Sequence, residues 1–162
     1  MAEPARECQD SGPPPCGYTR PRVRYLGLDV GDARIGVALS DETATIASAR
    51  PTLTRVGPRR DVAAVAALVR ENDVEEVVAG LPRRLDGSIG PQAEKVLELV
   101  ERLRRAVRVP VVTWDERFTT ALAHQALAEA GVGRRDRRDK VDRVAAVLIL
   151  QSYLDARRGG GA

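Results

Sequence analysis

The sequence predicts an α/β fold, a single domain on a mixed sheet with helices on both faces. Three observations carry that prediction. Three strand-like segments come before the first helical one, and strands and helices alternate afterwards. The segment 23–30 (VRYLGLDV) is apolar enough to be a central strand with little exposed surface. The chain has 162 residues, 43% of them apolar, which suits one core and leaves no room for a second full domain.

The elements follow in order. Residues 1–22 hold five of the ten prolines and no apolar periodicity, and they read as a disordered leader. The folded domain is read as 23–157, with a flexible tail at 158–162. After the strand 23–30, the turn GDARIG leads into a second strand, 34–40, and the short connection predicts an antiparallel hairpin. Residues 44–54 add a third strand, which Pro51 places at a sheet edge. In 59–72, Val62, Val65, Ala66 and Val69 keep helical spacing. Residues 75–80 form a short strand and 82–90 a loop rich in turn residues. Pro91 then opens a helix with a stripe of Val96, Leu99, Val100 and Leu103. Residues 109–114 are a strand, 119–130 a helix, 132–138 an arginine-dense loop and 139–157 a final helix. Right-handed β-α-β crossovers would run the later strands parallel to the first. Ligand sites of such sheets lie beyond the carboxyl ends of the strands, here near residues 29, 81 and 115.

Composition narrows the function classes. The longest apolar runs, 62–69 and 144–150, fall far short of the ~20 residues that span a bilayer, so no membrane partner is expected. The N-terminal segment lacks the basic start and apolar core of a secretory signal. Cys8 and Cys16 match no metal spacing, and the reading is an intracellular protein. Lys+Arg 26 against Asp+Glu 23 leaves +3, with a pI of 9.2, which permits a polyanionic partner. Aromatics are only 3%, which argues against recognition by base stacking.

Three carboxylates stand where chemistry is expected. Asp29 interrupts an apolar strand, where a charge is costly unless it is paired or metal-bound. A plainer role for it is to order the following turn. Asp115 and Glu116 end another strand, and alternation sends one of them into the site and the other away. Asp142 lies in the last helix on the face of Ala145, Ala146, Ile149 and Tyr153. It is read as one turn from the helix start, where the macrodipole alone would explain a carboxylate. Carboxylates from separate segments meeting at one edge suit Mg²⁺, and two such ions can promote phosphodiester cleavage. His124 reads as an ordinary helix residue. Gly31 and Gly36 permit tight geometry and the approach of a phosphate, although a plain hairpin turn explains them as well. Arg83 and Arg84 stand in a loop before a helix N-terminus, where phosphates bind. Arg134 and Arg135 begin a basic run suited to tracking a phosphate backbone, which positions a nucleic acid without reading its sequence.

Three stretches together resemble the YqgF (RuvX) family: LGLDVGDARIGVALSD, then GLPRRLDGSIGPQA with WDERFTT, then DKVDRVAAVLILQSYL. They occur in the family's order, and the resemblance covers about residues 23–155. It implies an RNase H-like fold with strand order 3-2-1-4-5. It also implies a cytoplasmic bacterial nuclease for the 5′ end of pre-16S ribosomal RNA, homologous to Holliday junction resolvases. Asp29, Glu116 and Asp142 match the family's metal-binding acids, which would hold Mg²⁺ or Mn²⁺ in a two-metal site. Arg117 lies beside Glu116 and joins Arg83, Arg84, Arg134 and Arg135 as a phosphate contact. The implied partners are precursor rRNA, branched DNA and ribosomal particles. Other readings are a junction-specific DNA resolvase, a non-catalytic nucleic-acid or assembly module, and a sugar-kinase-like phosphotransferase. The last would need two such domains.

Overall fold

The structure, a computed structural model, describes residues 22–115 and 134–159, the side chains of 134–141 excepted. A meander opens the fold: β1 (Arg24–Val30), β2 (Arg34–Ser40) and β3 (Ala47–Thr54), each antiparallel to the next. Helix α1 (Pro58–Glu71) leads to β4 (Val74–Leu81), and α2 (Pro91–Ala106) leads to β5 (Val111–Asp115). Helix α3 (Arg134–Gly159) is the last described element. The sheet order is β3-β2-β1-β4-β5, with β1 parallel to β4 and β4 parallel to β5. The central first strand, the edge position of Pro51 and the parallel later strands are therefore as the sequence predicts.

Strand alternation divides the sheet into two apolar faces. Leu26, Leu28, Val37, Leu39, Val77 and Ala79 pack with Val65 and Val69 of α1 and Val96, Leu99 and Leu103 of α2. These helical residues belong to the stripes read from the sequence, of which Val100 and the partly buried Val62 also pack here and Ala66 is buried. Each such buried side chain contributes about 1.5–3 kcal/mol. Tyr25, Ala38 and Val78 form the other face, with Ala146, Ile149, Leu150 and Leu154 of α3.

The α3 face is lined with small residues, and that lets the helix backbone come close. A Cβ at Gly36 would stand 2.1 Å from the carbonyl oxygen of Asp142, and one at Gly27 would stand 2.7 Å from the Leu150 Cβ. The C-terminal half of α3 is pinned by polar contacts. Gln151 accepts the Ala47 N–H at 2.9 Å and donates to the Thr45 carbonyl at 3.0 Å. The Trp114 indole donates to the Ser152 hydroxyl at 3.1 Å. The Tyr153 hydroxyl donates to Glu76, and Arg157 reaches the same carboxylate at 3.1 Å while lying over the Tyr25 ring.

Most boundaries differ from the sequence reading by a residue or two, and those of β3 and α3 differ in ways that have a visible cause. Strand β3 begins at Ala47 rather than 44, because Asp41 ties up the preceding turn. Its carboxylate accepts the N–H groups of Thr45 and Ile46 at 2.7 and 3.0 Å, and Ala44 takes a φ of 54°. Helix α3 begins at Arg134, so most of the predicted 132–138 loop is helical. Nothing after Gly133 breaks a helix, and Asp–Arg/Lys pairs recur at i, i+4 in GRRDRRDK. The same helix ends at Gly159 rather than 157, its last turn secured through Arg157. The 1–22 leader, apart from Arg22, lies outside the described residues, as does the predicted 119–130 helix.

Gly36→Ala is expected to cost about 1–3 kcal/mol, the range of an overpacked core, because strand and helix backbones must separate. Urea unfolding should show a lowered midpoint for this variant. An unchanged midpoint would contradict the packing described.

Candidate active site

Asp29 is the penultimate residue of β1, and alternation turns it to the α3 face with Tyr25 and Gly27. Its partner across the antiparallel pair is Gly36. On the other side the β1–β4 pairing ends at Leu28 with Ala79, so the next β4 residue, Gly80, flanks it. With glycine to either side, no neighbouring side chain on the sheet crowds the carboxylate. Asp142 comes to it from above, on the helix whose backbone rests on Gly36.

The two acids feel each other. Burial raises the Asp29 carboxyl from its ordinary 3.8 to about 6, and the negative charge of Asp142 pushes the same way. The macrodipole reading for Asp142 does not hold. The helix starts at Arg134, so Asp142 lies more than two turns inside it, beyond the first turn where that field acts. Its neighbours Ala145, Ala146 and Ile149 are buried, as the helical spacing predicts.

Two polar clamps hold the end of β1. Gln92, in the first turn of α2, donates to the Val30 carbonyl at 2.9 Å. Arg55 donates to the Gly31 carbonyl at 3.0 Å and to the buried Asp61 at 3.0 Å, and Asp61 also accepts the Val56 N–H at 3.0 Å. Burial works to raise the Asp61 carboxyl, but these hydrogen bonds outweigh it and hold the group below its usual range. Sequence reasoning missed both clamps, since each joins distant segments that no local pattern links. Gly31 closes the β1–β2 turn, its N–H on the Arg34 carbonyl at 2.8 Å. Of the two readings of Gly31 and Gly36, the plain hairpin turn is the one that fits, since the space above Gly36 is taken by the α3 backbone and not open to a phosphate.

The remaining predicted residues divide into two groups. Arg83 and Arg84 are exposed in the loop that leaves β4 at this same end of the sheet. Arg84 also lies over Gly90, where a Cβ would meet its Nε at 3.2 Å. Trp114 belongs to the α3 face, and Asp115, of opposite parity and exposed, does not. Glu116, Arg117 and His124 lie outside the described residues, and so do the side chains of Arg134 and Arg135, which stand at the start of α3.

In a chelator, wild-type stability is expected to fall as pH rises from about 4 to about 6. Over that window the unfolded chain gives up the Asp29 proton and the folded chain keeps it. Asp29→Asn removes this dependence and should be the more stable protein by about 1–2 kcal/mol at pH 7.5, with little advantage at pH 4. Urea unfolding of both proteins at the two pH values checks it. A difference that does not change with pH would contradict the coupling.

Comparison with known proteins places this arrangement. The sequence matches the RuvX family, described as Holliday junction resolvase, over residues 23–156. A protein of Desulforudis audaxviator named "Putative pre-16S rRNA nuclease" is 49% identical over 138 residues, covering 85% of this chain and 98% of its own length. One of the same name from Syntrophus aciditrophicus is 53% identical over 134 residues, covering 83% and 89%. Among solved structures, T. thermophilus RuvC in complex with a Holliday junction substrate superposes with a TM-score of 0.52 at 19% identity, covering 84% of this chain and 96% of that one. Fowlpox virus resolvase with its Holliday junction DNA gives 0.51 at 10% identity, covering 82% and 97%. At such identities the two structures speak for the fold alone, which is RNase H-like. With about half of the residues shared with these two relatives over 138 and 134 residues, the chain belongs to the RuvX family.

Proposed function

We propose that this protein is a cytoplasmic, metal-dependent nuclease that hydrolyses phosphodiester bonds in 5′-end processing of pre-16S rRNA. The observation that carries the reading is the Asp29–Asp142 pair, two carboxylates held together at the carboxyl end of the central strand with one pushed up to about 6. Like charges placed so close are costly in the bare protein and become favourable around a cation. The donor set of carboxylate oxygens fits Mg²⁺ or Mn²⁺, with Asp29, Asp142 and Glu116 as its holders. Such an ion, or a pair of them, supplies when bound the positive charge that makes water nucleophilic at neutral pH and steadies the leaving oxygen.

The chain's own residues do the rest. Asp29 and Asp142 hold the ion as carboxylates, so the ion competes with the proton that burial favours on Asp29, and metal affinity should rise with pH. The clamps through Gln92 and Arg55 fix the end of β1, so the Asp29 carboxylate keeps its place as substrate arrives. Arg83, Arg84, Arg117, Arg134 and Arg135 hold backbone phosphates on either side of the scissile bond. Support for an RNA substrate comes from the names of the relatives, which share about half of this sequence. The family description favours a second reading, cleavage of four-way DNA junctions. Ribosomal particles are proposed as partners through the precursor rRNA they carry.

Cleavage of a precursor rRNA fragment and of a four-way DNA junction, compared at one salt concentration with Mg²⁺ or Mn²⁺, tests both readings. Preferred cleavage of the rRNA fragment is expected. Asp29→Asn, Glu116→Gln and Asp142→Asn should each lower the rate by roughly a thousandfold or more while the circular dichroism stays unchanged. Full activity in Asp29→Asn would overturn the site. Binding that ignores chelator, with no cleavage of either substrate, would point to a non-catalytic module instead.

A further inference from the structure

The loop between β4 and α2 leaves the sheet at the end that carries Asp29, and its apolar residues have no part in the site described so far. It is a closed hairpin. Arg83 pairs with Ile89 across it, the Arg84 N–H donates to the Ser88 carbonyl at 3.0 Å, and the Gly87 N–H donates to the Arg84 carbonyl at 2.8 Å. The last bond closes a β-turn whose central residues are Leu85 and Asp86. Gly87 follows at a φ of 85°, a conformation glycine adopts without strain. Asp86 locks the returning arm by accepting the Ser88 N–H at 2.9 Å and its hydroxyl at 2.6 Å.

Leu85 is thus presented at a braced tip with 90% of its surface exposed, more than any other large apolar residue among those described. Single exposed leucines are ordinary, but this one has particular company. Arg83 and Arg84 stand exposed beside it. Ile89, 47% exposed, lies on the opposite arm, and Val56, 63% exposed, follows the Arg55 that is bonded to the β1–β2 turn. Three of the four exposed large apolar residues among those described therefore gather at the sheet end where Asp29 and Asp142 meet.

We propose that Leu85 is an apolar wedge that enters the base stack of the substrate where the stack is interrupted, at a helix end, bulge or branch, while Arg83 and Arg84 hold the adjoining phosphates. The proposal rests on the nuclease reading and adds the feature of the nucleic acid that is recognised. Aliphatic side chains part base steps by insertion. The cost is least where bases are already unstacked, so a wedge selects interruptions over continuous duplex without reading sequence. A tip braced by its own hydrogen bonds loses little freedom on insertion. The protein has few aromatics with which to stack on bases, and a leucine that follows two arginines needs none.

The test uses the full chain carrying Asp29→Asn, so that nothing is cut, with Mg²⁺ present. It is titrated with an RNA duplex bearing 2-aminopurine beside a helix–single-strand junction, with a four-way DNA junction labelled at its branch, and with the continuous duplexes. Binding is expected to brighten the probe at an interruption in at least one of the two arms. Leu85→Ser should remove the brightening and reduce the preference for interrupted over continuous duplex by roughly tenfold, and Leu85→Met should retain both. Melting temperatures should match, since the side chain is exposed. Binding without brightening, or brightening that survives Leu85→Ser, overturns the wedge and leaves the nuclease reading standing. Absence of binding to every nucleic acid overturns both.

Discussion

Helix α3 lies directly on the sheet because two strand positions opposite it carry no side chain. The contact of the Asp142 carbonyl with Gly36 sets the height of the helix at one point, and Leu150 against Gly27 sets it at another. The rest of this face is built to suit, with Ala38 beneath the helix and Tyr25 and Trp114 each packed edge to face on Tyr153. That closeness brings the Asp142 carboxylate within the field of Asp29. The meeting of the two acids is thus a product of backbone packing.

Much of this was legible in advance, for identifiable reasons. Asp29 stood out because a charge amid VRYLGLDV has to be accounted for, and helical spacing put Asp142 on the face of Ala146 and Ile149. The stripes of α1 and α2 followed from periodicity, and the sheet order from the resemblance to a family. What could not be read depended on contacts that local pattern does not carry. Gly36 reads as part of a plain hairpin turn or as room for a phosphate, and the neighbour it makes room for is more than a hundred residues away in sequence. Nothing local marks Arg55 or Asp61 among the many charged residues, and only the fold places one on the Gly31 carbonyl and buries the other. The start of α3 was misplaced because a run of arginine and aspartate resembles a loop in composition, although its residues can pair along a helix.

The two faces of the sheet divide the work. On the α1–α2 side the core is aliphatic and continuous from β2 to β5, a layer built for stability. On the α3 side the sheet carries small residues, two acids and a polar network around Gln151 and Tyr153. Like β2 and β4, the central strand β1 serves both faces, with Leu26 and Leu28 in the aliphatic layer and Tyr25 and Asp29 in the other. Its central position keeps the Asp29 backbone rigid, and rigidity of that backbone is what a preorganised site requires.

Asp29 belongs to the first strand of the fold and Asp142 to the last described helix, so the order in which a ribosome makes the chain bears on the site. The sheet can assemble with its α3 face still bare, and until the final helix docks on Gly36 and Gly27 no carboxylate pair exists. Under the proposed reading, a nascent chain in which α3 has not yet been made and docked cannot cut nucleic acid.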